Sequence, residues 1–306
     1  MLKYIVKRIL ISIPVLIGVM LIIFLLLNVV PGDPVTLMMK EHIEPDLIEK
    51  MRAQMGLDDP VMVRFFRYMK NAAMGDFGIS YKLNRNVTDL IINAFPHTVR
   101  LSVFAALIAW VIGIPAGIIS AVKKSTFTDR FFMSFSLLGV SMPVFWAALL
   151  LQYIFAFKLK LLPVSGYSTI KHLIMPAIVL GWSSAGTIAR LTRSSLLEIL
   201  KNDFIRTARA KGLKENGVVI GHALKNAMLP VVTVMAIQVA SLLSGAVITE
   251  SVFGIPGIGR LSVNAIQDRD MPLLQGTVVF TTVLIIAGNL IADILYSVID
   301  PRIRVE

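Results

Sequence analysis

Long apolar runs restrict this chain more than any other feature. Residues 9–30, 98–122, 132–157, 173–189, 231–249 and 273–298 are each dominated by Leu, Ile, Val, Phe and Ala. A helix of about 17–25 such residues crosses the roughly 30 Å hydrocarbon core of a bilayer. In lipid every backbone N–H and C=O must be satisfied within the protein, so runs of this kind are read as helices. Composition agrees: 56% of residues are hydrophobic and only 16% charged, where a soluble domain carries about 25% charge. The fold class read here is all-α, a polytopic membrane protein with six transmembrane helices. There is no cysteine, which excludes disulfides, thiol nucleophiles and cysteine-ligated metals. The first run exceeds a signal-peptide core and is read as a retained helix.

Six spans place both termini on one side, and the distribution of basic residues chooses the side. Lys3, Lys7, Arg8, Lys123, Lys124, Arg130, the basic residues of 190–225, Arg302 and Arg304 fall together. The opposite short loops hold only Lys158, Lys160, Lys171, Arg260 and Arg269. Excess Lys and Arg marks the cytoplasmic side, so both termini and the 190–227 loop are cytoplasmic. Topology therefore accounts for the net charge of +11, and no nucleic-acid partner is inferred. The chain divides into a first helix with its cytoplasmic terminus (1–34), an extracytoplasmic loop or small ectodomain (35–96), and a five-helix core carrying the cytoplasmic loop (97–306). Within the ectodomain, 45–55 and 61–74 have helical apolar spacing. Pro31-Gly32-Asp33-Pro34 is a turn.

The cytoplasmic loop is the most informative stretch. Asn202 or Asp203 is placed to cap a helix, its side chain accepting from a free N–H. Ile205 to Lys211 then reads as helix, and Gly212 suits the residue just past its end. Ala208 and Ala210 permit close approach. Arg206, Arg209 and Lys211 offer cations to a partner, and Ile205 and Leu213 offer apolar anchors. Such a helix fits docking into a groove. The plainer alternative is a solvated basic loop that only sets topology.

The chain resembles the transmembrane permease subunits of ATP-binding-cassette importers, in the dipeptide, oligopeptide and nickel branch. The resemblance runs the length of the sequence. It rests on Pro31-Gly32-Asp33-Pro34, Gly56-Leu57-Asp58-Asp59-Pro60, Gly75-Asp76-Phe77-Gly78 and Ala189-Arg190-Leu191-Thr192-Arg193-Ser194-Ser195. It continues through Arg206-Thr207-Ala208-Arg209-Ala210-Lys211-Gly212, His222 to Pro230, Pro256-Gly257-Ile258-Gly259-Arg260 and Asp300-Pro301-Arg302-Ile303-Arg304. The general importer pattern begins Glu-Ala-Ala, where this chain has Arg206-Thr207-Ala208, and sets Leu-Pro closer to the glycine. Both departures are similar to the peptide branch. The resemblance implies a type I importer permease fold in a bacterial or archaeal plasma (inner) membrane. It implies that the segment Asp203, Ile205, Arg206, Thr207, Ala208, Arg209, Ala210, Lys211, Gly212 and Leu213 couples to ATPase subunits. It also implies a second homologous permease, two ATP-binding subunits that carry ATP and magnesium, and an extracytoplasmic binding protein, working by alternating access. The cargo expected is a dipeptide or oligopeptide, with nickel or metal chelates as the alternative.

Other residues carry weaker signals. No phosphate-binding loop of the Gly-x-x-x-x-Gly-Lys-Ser/Thr kind is present, so this chain is expected to carry no catalytic residues and no cofactor. Asn289 and Asp293 share a helical face, and an ionisable residue inside a span is a functional candidate. With Glu250 they are the candidates for lining the pore. The competing reading has Asp293 pairing with basic residues near the inner end, and Glu250 pairing with Arg260. The four histidines lie at no metal-ligand spacing, so no metal site is expected. Gly181-Trp182-Ser183-Ser184-Ala185 falls short of a nucleophile elbow. The rival classes are a stand-alone channel or carrier, which needs no docking helix, and an intramembrane hydrolase, which needs a dyad the sequence lacks.

Overall fold

A computed structural model describes residues 2–29, 49–50, 52–53 and 56–299. The turn at 31–34, part of the 45–55 helix candidate and the 300–304 motif lie outside the described residues. The elements are α1 (Leu2–Val29), α2 (Val61–Ala73), α3 (Val87–Val122), α4 (Phe127–Ser141), α5 (Val144–Leu151), α6 (Ile170–Ile199), α7 (Asp203–Ala210), α8 (Leu224–Leu243), α9 (Val247–Phe253), α10 (Ile258–Gln267) and α11 (Met271–Ile299). A π-helical turn, Gln152–Lys158, extends α5, and another, Gly217–Ala223, leads into α8. The described residues contain no strand.

Five helices are long and apolar enough to cross a membrane, and a bent pair supplies a sixth span. The expected straight span at 132–157 is instead α4 and α5, meeting at 105°. Pro143 is the cause: its ring disfavours helical geometry in the residue before it, and Met142 is extended at φ −78°, ψ 128°. The span expected at 173–189 is longer than the hydropathy suggested. α6 continues to Ile199, with Thr192 and Leu196 buried on the same face as Ile188 and Ala189. The charged residues after 189 end the apolar run without ending the helical periodicity. α3 likewise begins before its apolar stretch and runs unbroken through Pro96 and Pro115.

α3 packs most extensively on α6. A Cβ at Gly113 would lie 2.8 Å from the Ala185 carbonyl oxygen, and one at Gly117 would lie 2.6 Å from that of Ala189. This small-x-x-x-small stripe lets two helix backbones meet, as lipid-embedded helices require in the absence of a hydrophobic drive between them. Much of the remaining apolar surface faces outward: Leu10, Ile22 and Leu26 on α1 and Val111 on α3 are all more than half exposed. Bilayer or partner subunits must cover such a surface.

Candidate coupling helix and outer locks

α7 is a short helix held on the cytoplasmic end of α6. Asn202 occupies its cap position in an extended conformation, but its side chain makes no cap hydrogen bond. The expected side-chain cap is thus absent; instead Asp203, in the first turn, pairs with Arg206 at 3.2 Å. A carboxylate there also suits the positive end of the helix dipole. Gly212 follows the helix at φ +77°, with nothing within 4 Å of where its Cβ would lie. Its need for glycine is therefore one of backbone conformation. Beyond it, Glu215 returns to grip Arg209 by two bonds, Nε to Oε2 at 3.1 Å and Nη2 to Oε1 at 2.7 Å. The guanidinium holds the Glu215 carboxyl below its usual range.

The orientation of α7 corrects two expectations. Ile205 is fully buried and Ala208 nearly so, packed among Ala121, Leu196, Val218, Val219, Ala223 and Ala227 of the same chain. Neither is available to a partner. They lie three apart, hence on one helical face, and that face is used to seat α7 on its own scaffold. The outward face carries Asp203, Arg206, Thr207, Arg209, Ala210 and Lys211, followed by Gly212 and Leu213, all exposed. The apolar anchors it presents are Phe204, 44% exposed, and Leu213, 45% exposed. Phe204 was missed by sequence reasoning. The spacing of Ile205 and Ala208 already directs them to one side and their neighbour Phe204 away from it.

The scaffold beneath α7 is tied by one strong ion pair. Asp129, at the start of α4, is buried and accepts two bonds from Arg193 of α6, at 2.7 and 2.8 Å. The Ser125 N–H adds a third at 2.8 Å. A bidentate guanidinium–carboxylate pair fixes geometry as well as charge, so α4 and α6 are joined at the level where α7 sits.

At the extracytoplasmic end two buried carboxylates do comparable work. Glu250 has no exposed surface. It accepts the Thr98 hydroxyl at 2.8 Å and the Arg260 backbone N–H at 3.0 Å, while Thr98 Oγ1 accepts the Ile258 N–H at 2.9 Å. Burial pushes its carboxyl above the usual range, and these hydrogen bonds pull it back. The pore-mouth reading of Glu250 is therefore corrected: its oxygens are consumed by the first turn of α10, where backbone N–H groups lack helical partners. It does pair with Arg260, through the main chain. Asp270, also buried, accepts from the Ser80 hydroxyl and from the N–H groups of Tyr81, Lys82 and Leu273. It joins the start of α11 to the ectodomain.

Of the other pore candidates, Asn289 is exposed on α11. Asp293 forms an ion pair with Arg8 of α1 at 3.1 Å, which is the pairing with a basic residue that competed with the pore reading.

Comparison with known proteins places this architecture. Residues 113–305 match the family described as "Binding-protein-dependent transport system inner membrane component", and residues 1–102 match its N-terminal companion family. The dipeptide transport system permease protein of Alkalihalophilus pseudofirmus is 40% identical over 332 residues, covering 99% of this chain and 100% of the relative. The glutathione transport system permease protein of Escherichia coli (strain K12) is 40% identical over 304 residues, covering 99% of each. Among solved structures, the inward-facing MetNI methionine ABC transporter aligns with TM-score 0.59 and 17% identity, covering 69% of this chain and 96% of that one. That likeness concerns the fold.

Proposed function

Because the chain belongs to the family of binding-protein-dependent transport system inner membrane components, as a multi-pass permease of the peptide-type ABC importers, we propose that it forms half of a peptide-conducting path and is driven through α7. The observation that carries this reading is the way α7 is mounted. Its inner face is buried in its own chain, while Phe204, Thr207, Ala210 and Leu213 are offered outward among cations. A helix that only set topology would need neither the buried seat nor the apolar outer residues. A groove on an ATPase subunit accommodates such a knob, and Arg206 and Lys211 suit carboxylates at its rim.

The mechanism follows from rigidity. ATP and magnesium bind on separate subunits, and their closure displaces α7. Because α7 is packed on the end of α6, and α6 is clamped to α4 by Arg193 and Asp129, displacement passes to the α3–α6 pair as one body. Rocking of such bodies exchanges inward and outward access. A second, similar permease completes the path, two ATP-binding subunits supply the stroke, and an extracytoplasmic binding protein delivers cargo. Dipeptides and glutathione-sized peptides are the cargo class that the relatives' names favour over nickel chelates.

Phe204→Asp tests the coupling role. In proteoliposomes holding the whole importer, ATP-driven peptide uptake is expected to fall at least about tenfold, the equivalent of about 1.4 kcal/mol of lost docking. Membrane insertion and thermal stability should match the parent, because Phe204 is not part of the buried seat. Unchanged uptake at equal expression would refute the docking role.

A further inference from the structure

At the extracytoplasmic end, Asn93 and His97 of α3, Tyr167 of the α5–α6 connection, and Arg260 and Asn264 of α10 line a cavity of ≈ 420 Å³. That volume is within the range of small-molecule sites, about 300–1,000 Å³. We propose that this cavity receives the free carboxylate of a peptide cargo at the outer mouth, with the Arg260 guanidinium as its ligand. The proposal rests on the peptide-importer reading above and adds a recognition site to it.

Arg260 is the centre of the argument. Its backbone N–H is taken by Glu250, but its guanidinium makes no ion pair and no hydrogen bond among the described residues. Glu250, the carboxylate that takes that N–H, has its oxygens spent on Thr98 and on the main chain of α10. Arg260 lines the cavity, and one of its guanidinium nitrogens is 3.7 Å from where a Cβ on Gly254 would lie. Gly254 itself is left-handed, at φ +68°, which brings the chain close without a side chain in the way. Asn93 and Asn264 are exposed and their side-chain amides have no hydrogen-bond partner among the described residues. The His97 ring stands edge-on to Tyr167 at 4.9 Å and forms a wall.

These groups are chemically matched to one kind of ligand. A guanidinium offers a planar fork of donors that takes a carboxylate by two parallel bonds. Two carboxamides beside it supply further donors for the same oxygens and acceptors for peptide N–H groups. An apolar floor from Leu90, Ala94 and Leu261 suits the adjoining side chain. Arg193 and Arg209, by contrast, each hold a carboxylate of this chain. The location fits hand-over as well, since the cavity lies on the side from which a binding protein releases cargo.

The test uses the assembled importer in nanodiscs, held in its ATP-bound state. Binding of alanyl-alanine and of its C-terminal amide is measured by equilibrium dialysis. The parent assembly is expected to hold the free acid about tenfold more tightly than the amide. Arg260→Gln is expected to abolish that preference, and Arg260→Lys to restore part of it, with size-exclusion profiles reporting that each assembly is intact. A preference in Arg260→Gln equal to the parent's would overturn the proposal, and so would a parent that binds neither form. A matched loss of affinity for the peptide-free binding protein in Arg260→Gln would assign the guanidinium to an acidic side chain of that protein and overturn the cargo reading. Failure of the importer reading itself would show separately, as absence of ATP-driven uptake by the parent.

Discussion

The two ends of this permease are held together by different chemistry. At the outer end, Glu250 and Asp270 are buried carboxylates that satisfy backbone N–H groups at helix starts and in the ectodomain loop. At the inner end, the groups around α7 form exposed pairs: Asp203 with Arg206 and Arg209 with Glu215. Buried charge-assisted bonds lock a geometry, because each partner left unsatisfied costs the full desolvation of a polar group. Exposed pairs contribute little and exchange readily with water or with a new partner. The contrast describes an outer end built as one body and an inner end where α7 itself is held by the apolar seat of Ile205 and Ala208, on a scaffold tied by the Asp129–Arg193 pair. The coupling role proposed for α7 calls for that division: a handle rigid toward the scaffold and open toward a driver.

The largest expected effect probes the outer lock. Glu250→Leu preserves most of the volume and removes every bond to α10 and Thr98. The Arg260 N–H and the Thr98 hydroxyl then lose their acceptor, a loss of about 2 kcal/mol or more at roughly 1–3 kcal/mol per group. Thermal denaturation in detergent should show a clear fall in Tm, and Glu250→Gln should recover part of it by keeping one acceptor oxygen. Equal Tm values for Glu250→Leu and the parent would erase the contrast between the ends. The raised pKa sets a sign as well. A carboxyl whose folded pKa lies above its unfolded value stabilises the fold when protonated, so this group's share is fully present below the unfolded pKa and is lost as pH rises through the folded one.

A smaller effect tests how firmly α7 is aimed. Gly212→Ala meets no neighbour, since its Cβ faces open space, yet it forces a side chain into the left-handed region at φ +77°. The strain is about 1 kcal/mol. The outer lock is untouched, so Tm should hold while ATP-driven uptake falls by a few-fold and the ratio of ATP hydrolysed to peptide moved rises. If uptake and that ratio both stay at parent values, the turn after α7 has no part in aiming the handle.

These positions differ in how far the sequence revealed them. The spans were legible because apolar runs are long and lipid permits so few backbone arrangements. The α7 segment was legible from its basic residues and Gly212, although the expected side-chain cap is absent. Three things were not. Hydropathy ends where charge begins, so the extension of α6 past Ala189 was hidden, although Thr192 and Leu196 continue its buried face. A single helix also does not announce which face it turns to its own chain. From spacing alone Ile205 reads as a partner's anchor, and only the fold brings Leu196 and Val218 over it. Glu250 was hidden for a related reason: its partners, Thr98 and the start of α10, are distant in sequence, and a carboxylate near a span end reads equally as pore lining or as a cap.

The smallest effect belongs to the inner pairs. The Arg209 guanidinium depresses the Glu215 carboxyl pKa by hydrogen bonding, so the folded value lies below the unfolded one. The pair's contribution is therefore present above the unfolded pKa and disappears as pH falls through the folded value, below the ordinary carboxylate range of about 4.3. Both side chains are exposed, by 41% and 54%, and screening keeps the contribution well under about 1 kcal/mol. At neutral pH, Glu215→Gln should leave Tm unchanged within error. Protection factors at the amides of residues 209–215, taken relative to the intrinsic exchange rate at each pH, should fall as the parent is acidified, and in Glu215→Gln they should be low at every pH. The outer end gives the opposite response, since protonating Glu250 favours its folded state. If acid loosened the α10 region and left the α7 turn protected, the assignment of a rigid outer end and a pliable inner one would have to be reversed.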